Sequence, residues 1–209
     1  MHNFPTFSTY YPHNTEYGKY VRNRRIFSMK ATGIVRRIDD LGRIVIPKEI
    51  RRTLRIRESD PLEIFTDREG EIILKKYSPI GEMSSFAKQY AESLSQAAGK
   101  AALISDRDQF IAVSGGYKSI LGKSISRELE EALTRRETII SSKGEPSFIP
   151  IAQDMTDPFV NEAIYPILCE GDIIGSVLLI DNSEKEKMGE VDQKLLQSAA
   201  GFLGRQMEQ

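Results

Sequence analysis

The chain of 209 residues carries 29 Lys and Arg against 30 Asp and Glu, and 40% of its residues are hydrophobic. That length and balance are typical of a soluble globular protein with one or two domains, and no stretch approaches the ~18 consecutive apolar residues that span a bilayer. A single cysteine excludes a disulfide framework, and two histidines with it are too few for a structural zinc site. We therefore expect a cytoplasmic protein without a metal.

The charge is distributed unevenly along the chain. Residues 1–28 hold four bases and one acid, residues 29–80 hold twelve bases and nine acids, and residues 81–209 hold thirteen bases and twenty acids. A basic module joined to an acidic one suggests two tasks in one chain. We accordingly predict three segments, namely an extension at 1–28, a module at 29–80 and a domain at 81–209.

The first 28 residues are rich in Tyr, Asn, Thr and Pro and have neither helical nor strand periodicity. They also lack the apolar core of a secretory signal. We expect a disordered extension or a start assigned too early, with Met29 as the true start. The alternative is a basic arm that tracks phosphates through Lys19, Arg22, Arg24 and Arg25.

Two hairpins and a short helix are predicted between residues 30 and 77. Residues 31–38 and 43–46 alternate as strands around the turn-forming residues 39–42, and Pro47 can begin a helix that runs to Ile56. Residues 62–66 and 71–77 form a second hairpin. A unit of about fifty residues buries too little apolar surface to be stable alone, so we expect an obligate dimer with interleaved strands.

Positive charge is concentrated at the start of this module. Residues 30–57 hold nine Lys or Arg against three acids, whereas residues 58–76 hold six acids and three bases. A row of bases three and four apart on a helix is often only a solvated face. Because the acids are segregated into the second hairpin, the pattern favours a face that binds a polyanion, and in a cell the likeliest polyanion is nucleic acid.

The stretch K-A-T-G-I-V-R-R-I-D-D-L-G-R-I-V-I-P-K-E-I-R-R-T-L-R-I at 30–56 closely resembles the swapped-hairpin DNA-binding domain of AbrB-type transition-state regulators. The resemblance implies an interleaved β-barrel dimer whose arginines contact double-stranded DNA. Carried over by position, the contacts are Arg36, Arg43, Arg51 and Arg52. Lys30, Arg37 and Lys48 are weaker candidates for phosphate contacts.

The rest of the chain predicts an α+β domain with a central antiparallel sheet flanked by helices. Helical spacing runs from Met83 to Ala97, and Ser126 can cap a further helix. Extended segments are expected at 101–105, 110–114, 138–142, 148–151, 161–168 and 173–180. A closing helix begins at Gly189, with Val191, Leu195, Ala199, Phe202 and Gln206 on one apolar stripe.

That order of elements resembles the GAF fold, which implies a small-molecule sensor whose effector is unidentified. A pocket in this fold would lie between the sheet and residues 114–125, with Ser114, Tyr117, Phe148, Phe159 and Tyr165 as candidate ligand contacts. The alternative is that these aromatic rings fill the core.

An enzymatic function is disfavoured. Residues 116–124 resemble a phosphate-binding loop, but five residues separate the two glycines where that loop has four. Cys169 has no histidine in its domain to activate it. We predict no catalytic residues and no cofactor.

Taken together, residues 29–209 resemble a family of endospore transcription regulators that act as activator or repressor at the nucleoid. An antitoxin that regulates its own gene is the alternative, although antitoxins carry a short disordered tail where this chain has a domain. We expect a dimer through the hairpins and a homotetramer through the helices at 83–97 and 189–206. Tyr90, Leu94, Phe202 and Met207 would extend to the partner domain.

Overall fold

The computed structural model describes residues 32–66, 68, 70–154 and 159–208. The predictions for residues 1–28 and for Lys30 therefore lie outside the described residues. The chain divides into two compact units, one ending at Pro47 and one beginning at Lys48. Across the described ranges, no helix is both long and apolar enough to cross a membrane.

The described part of the first unit, residues 32–47, is a tight turn with two arms that are not assigned as strands. The amide of Asp39 donates to the carbonyl of Arg43, and the amide of Gly42 donates to the carbonyl of Asp39, both at 3.0 Å. Residues 32–38 and 43–47 have no regular secondary structure, which differs from the two predicted strands. A strand needs a ladder partner, and here Val35 and Val45 remain 87% and 71% exposed.

The second unit opens with a short helix and a hairpin. Helix α1 is Lys48–Thr53, and strands β1 (Leu62–Thr66) and β2 (Ile72–Lys76) pair antiparallel as predicted. The helix ends three residues before the predicted Ile56 because Arg55 adopts a left-handed φ of 52°. The amide of Ile56 then donates to the carbonyl of Arg51, and that of Arg55 to Arg52, which is the Schellman arrangement that closes a helix.

The remaining residues form an α+β domain. Its helices, continuing from α1, are α2 (Pro79–Glu82), α3 (Ser84–Ala98), α4 (Arg127–Thr134) and α5 (Glu190–Gln206), with a 3₁₀ turn at Lys118–Ile120. Its strands are β3 (Ala101–Asp106), β4 (Phe110–Ser114), β5 (Ile139–Ser142), β6 (Asn161–Cys169) and β7 (Asp172–Asp181). The strands form one antiparallel sheet in the order β4-β3-β7-β6-β5.

The sheet separates two apolar cores. On one face Ile104, Val177 and Leu179 pack with α3 and α5. On the other face Leu103 and Leu178 pack with α4 and the irregular segments around Ile120, Ile151 and Phe159. Because side chains alternate along a strand, neighbouring residues such as Leu178 and Leu179 serve opposite cores.

Local signals explain several boundaries. The hydroxyl of Ser126 accepts from the amide of Leu129 at 2.9 Å, so the predicted cap of α4 is confirmed. Residues 148–151, predicted as extended, are not a strand. The amide of Phe148 donates to the carbonyl of Glu145 in a turn, and a single bridge joins Ile125 to Ala152.

The predicted stripe of α5 is displaced by about one position. Val191 is 72% exposed, whereas Leu196, Ala200 and Leu203 are buried against the sheet together with the predicted Ala199. Two contacts set this rotation. Asp192 accepts from the amide of Gly189 at 2.9 Å and pairs with Lys100 at 3.1 Å. Alanine and glycine line the inward face because α5 lies close to β6, and a hydrophobicity pattern undervalues such small residues.

Candidate nucleic-acid interface and sensor core

Helix α1 brings three of the predicted DNA contacts together. Lys48 and Arg52 are exposed and Arg51 is half-buried. Within the described part of the chain, none of these three side chains has an ion pair or a hydrogen-bond partner. Like charges at three- and four-residue spacing disfavour a helix, so this arrangement costs stability that an anionic partner would recover.

The turn of the first unit carries the other predicted contacts. Arg36 and Arg37 are exposed. Arg43 is held by Asp39 through Nε and Oδ2 at 2.8 Å, although its side chain is 69% exposed. The backbone amide of Arg43 and then its guanidinium lower the pKa of Asp39 by hydrogen bonding to the carboxylate. A phosphate that engages Arg43 would thus compete with Asp39.

Six charged side chains form a junction that sequence reasoning missed. Arg57 Nε donates to Glu130 Oε1 at 3.0 Å, and Arg57 Nη1 lies 3.5 Å from Asp108 Oδ1. Lys76 contacts Asp108 and lies 3.4 Å from Asp60, which Arg107 also contacts at 3.1 Å. The sequence placed Arg57 among the basic residues because its partners lie far along the chain. We name these residues the charged junction: Arg57, Asp60, Lys76, Arg107, Asp108 and Glu130.

The charged junction ties the segment after α1 to the α+β domain. The side chain of Asp60 is only 3% exposed, so its two cationic partners compensate a nearly buried charge. Burial opposes the charged form of Arg57, but the hydrogen bond and charges of Glu130, Asp108 and Asp60 raise its pKa above the ordinary value. The guanidinium therefore remains charged at every relevant pH.

Three of the five candidate sensor residues lie together. The rings of Tyr117 and Phe159 meet edge to face at 6.5 Å between centroids, and those of Phe148 and Phe159 lie 5.7 Å apart. Phe159 has no solvent exposure. Burial, and then the charge of Asp181, raises the pKa of Tyr117. In this structure the three rings pack against one another within the core.

The other two candidates lie on the opposite face of the sheet. Tyr165 packs with the core beneath α3 and α5. Ser114 is paired with Ala102, whose side chain belongs to that same core. Directly paired residues share a face, so neither can join Tyr117 in one pocket.

The loop that resembles a phosphate-binding loop folds differently. Gly122 donates its amide to the carbonyl of Phe110 at 2.8 Å, and Phe110 donates to the carbonyl of Lys123 at 3.0 Å. These bonds extend the edge of β4, and α4 begins only at Arg127. The amide of Gly122 is therefore not available to cradle a phosphate.

Three aromatic rings form a partly exposed patch between α3 and α5. Tyr90 stacks on Phe202 at 5.4 Å, and Phe86 lies 6.2 and 6.0 Å from these two rings. The predicted placement of the two helices side by side on one face of the sheet is confirmed. Leu94, however, is only 6% exposed and belongs to the core, so the expectation that it reaches a partner is wrong. We name Phe86, Tyr90 and Phe202 the aromatic patch.

Comparisons with known proteins match both parts of the chain. The family described as Stage V sporulation protein T C-terminal, transcription factor, matches residues 82–208. The family described as Antidote-toxin recognition MazE, bacterial antitoxin, matches residues 35–82.

Two curated relatives from Bacillus subtilis and one solved structure are similar to this chain. Stage V sporulation protein T is 54% identical over 87% of this chain and 100% of its own length. Transition state regulatory protein AbrB is 52% identical over 36% of this chain and 77% of its own. The GAF domain of an Acinetobacter phosphoenolpyruvate-protein phosphotransferase covers 60% of this chain and 81% of its own at a TM-score of 0.50 and 13% identity, a likeness of fold alone.

Proposed function

Because the chain belongs to the stage V sporulation protein T family of transcription factors, we propose that it regulates transcription during endospore development by binding double-stranded DNA. Residues 29–80 form the DNA-binding module, and residues 81–209 form a regulatory domain of GAF-like fold. The protein acts in the cytoplasm, at the nucleoid, as an activator or a repressor according to the promoter. It works by binding rather than by catalysis.

The unpaired arginines of α1 carry this proposal. Arg51 and Arg52 make no ion pair with any described residue, although they belong to a chain with slightly more acids than bases. Arginine forks suit phosphate oxygens and guanine edges. Arg36 and Arg43 complete the main contacts, and Lys30, Arg37 and Lys48 add phosphate contacts.

The apolar exposure of the DNA-binding module supports an obligate dimer. Ile64, Ile72, Val35 and Val45 are each more than 60% exposed in the single chain. A two-stranded hairpin with both faces in water is marginally stable at best. Interleaving with the hairpins of a second copy covers these side chains and supplies the missing ladder partners of residues 32–47.

The aromatic patch supports a second contact between copies. Phe202 is 37% exposed on a face where α3 and α5 lie side by side. Two such faces pack as a four-helix bundle about a two-fold axis, with Met207 at its end. If the two contacts join different copies, the assembly is a homotetramer that can hold two DNA segments.

A small-molecule effector is proposed to act on the regulatory domain. Its binding site is the cluster of Tyr117, Phe148 and Phe159, where a ligand would displace rings that now pack together. Tyr165 packs with the other core and Ser114 lies on the same face of the sheet, so neither would contact that ligand.

A second candidate function is that of an antitoxin, favoured by the match of residues 35–82 to a bacterial antitoxin family. A match to a transcription-factor family over residues 82–208 weighs against it. Co-purification of a toxin in stoichiometric amount from the host would favour the antitoxin function.

DNA binding tests the main proposal directly. The probe is a labelled duplex selected from random sequence by the full chain, with affinity followed by fluorescence anisotropy. Arg51→Ala and Arg52→Ala should each weaken binding by at least about tenfold, because each removes a charge-assisted contact. Lys75→Ala removes an exposed charge from the second hairpin and should leave affinity nearly unchanged.

The salt dependence gives a second measure. If four arginines from each of two copies meet the duplex, the slope of log affinity against log salt approaches roughly −7. Unaltered affinity in both arginine variants and in the double variant would exclude this face.

A further inference from the structure

An open cleft lies between the segment that carries α1 and the start of α4. Its volume is about 670 Å³, within the size range of small-molecule sites. Arg51, Arg52 and Arg55 line it, and Glu128 and Asp154 belong to the same lining. It is separate from the aromatic cluster of the GAF-like core.

Three of the arginines that line the cleft are not neutralised within the described residues. Arg51 and Arg52 have no partner there. Arg55 Nη2 donates to Gln153 Oε1 at 2.5 Å, but this acceptor is uncharged and does not neutralise the guanidinium. Arg57 and Arg127, which also line the cleft, are paired with Glu130 and Glu131. Three uncompensated guanidinium groups therefore face one small cavity.

Two carboxylates in the lining of the cleft disfavour a polyanion. Glu128 and Asp154 have no ion pair with any residue that the structure describes, so both present carboxylate oxygens that only accept hydrogen bonds. A DNA strand threading the cleft would bring phosphates close to these carboxylates. A compact ligand can instead place its anionic group at the arginines and its hydroxyl or amino groups at the carboxylates.

We propose that this cleft binds a phosphorylated small molecule that carries hydroxyl or amino groups, such as a nucleotide or a sugar phosphate. Arg51, Arg52 and Arg55 hold the phosphate through forked hydrogen bonds. Glu128 and Asp154 accept from the polar groups at the other end. Gln153 is released from Arg55 when the phosphate takes its place.

Occupancy of the cleft and DNA binding exclude each other, because both use Arg51 and Arg52. This step rests on the proposed DNA-binding function, whereas binding in the cleft does not. The concentration of a phosphorylated metabolite would then set the fraction of the protein free to bind DNA. Arg57, which also lines the cleft, is held in place by its hydrogen bond to Glu130.

Calorimetric titration of the DNA-free full chain tests the site. The probes are ADP and glucose 6-phosphate, with adenosine and glucose as uncharged controls. At least one phosphorylated probe should bind with a Kd below about 1 mM, while its uncharged counterpart does not bind. Arg55→Ala and Arg55→Gln should each weaken that binding by at least about tenfold. Lys75→Ala, which removes an exposed charge outside the cleft, should leave it unchanged.

Competition separates this proposal from the proposed function. A saturating phosphorylated probe should weaken DNA binding by the full chain at least about tenfold beyond a sodium chloride control of equal ionic strength, and this effect should vanish in Arg55→Ala. Absence of binding by both probes, or equal binding by the Arg55 variants, overturns the proposal even if DNA binding holds. If Arg55→Ala weakens DNA binding as much as Arg52→Ala does, the cleft belongs to DNA and the proposal is likewise overturned.

Discussion

Arg57 and Glu130 lie 73 positions apart in the sequence, yet two guanidinium nitrogens of Arg57 donate to one carboxylate oxygen of Glu130 at 3.0 and 2.5 Å. Both side chains are partly exposed, at 24% and 35%. The pair thus joins the segment that follows α1 to helix α4. A contact of this kind links the position of the basic helix to that of the α+β domain.

Glu130→Gln should lower the free energy of unfolding by about 1 kcal/mol, since it removes the charge but keeps an acceptor in a partly solvated pair. Urea unfolding of the full chain measures this loss. Glu128→Gln is the matched control two positions away, because Glu128 makes no ion pair with a described residue. An equal loss of unfolding free energy in the two variants would show that the ion pair adds no stability beyond that of any carboxylate on α4.

Two glycines of α5 should respond oppositely to alanine. A Cβ at Gly204 would lie 2.0 Å from the carbonyl oxygen of Leu168, whereas one at Gly201 would meet nothing closer than Arg205 at 3.7 Å. Gly204→Ala must push the helix from β6 and should cost about 1–3 kcal/mol. Gly201→Ala should be neutral or should stabilise by up to about 1 kcal/mol, from helix propensity.

Thermal and urea unfolding of both glycine variants measures the difference, and Gly201→Ala controls for propensity within the same helix. A tolerated Gly204→Ala would mean that α5 does not approach β6 this closely.

The buried carboxyl of Asp106 should make stability depend on pH. Burial raises its pKa, although the amides of Asp108 and Gln109 and the hydroxyl of Ser78 bond to the carboxylate and oppose the shift. The folded state therefore binds this proton more tightly than the unfolded chain, whose aspartates titrate near ~3.9. As the pH falls through the raised pKa, the folded state gains stability.

Urea unfolding of the full chain and of Asp106→Asn between about pH 7 and pH 4 isolates this effect, because the variant lacks the titrating group. The stability of the parent relative to the variant should increase as the pH falls. A decrease over the same range would show that the three hydrogen bonds outweigh burial.

Phe202→Glu should divide the proposed tetramer into dimers, because it places a charge in the aromatic patch at the centre of the proposed bundle. Light scattering of the full chain at micromolar concentration measures the mass. Gln193→Glu adds the same charge on the opposite side of α5, because nine residues along a helix turn the side chain by about half a revolution from Phe202. This variant should leave the mass unchanged. A parent protein that is already dimeric would exclude the tetramer.

Local sequence signals were sufficient for most elements of the α+β domain. Alternating apolar residues and turn residues predicted strands β3, β4, β6 and β7. The cap of α4 was predicted from Ser126, whose hydroxyl accepts a hydrogen bond from the first turn of its own helix. The 27-residue basic stretch likewise indicated a family of transcription regulators, and the relative that is similar over 87% of the chain confirms that family.

Which side chains meet in space was decided by the tertiary structure. The stripe predicted for α5 from hydrophobicity was rotated from the true one, because the bonds of Asp192 and the small residues at the contact set the rotation. Tyr165 was grouped with Tyr117 although the sheet separates them.

The charged junction had no signature in the sequence, since Arg57, Asp108 and Glu130 meet only after the hairpin segment folds beside α4. Charge and periodicity are local properties of the chain, whereas the pairing of distant charges depends on how elements pack, and only the folded molecule contains that information.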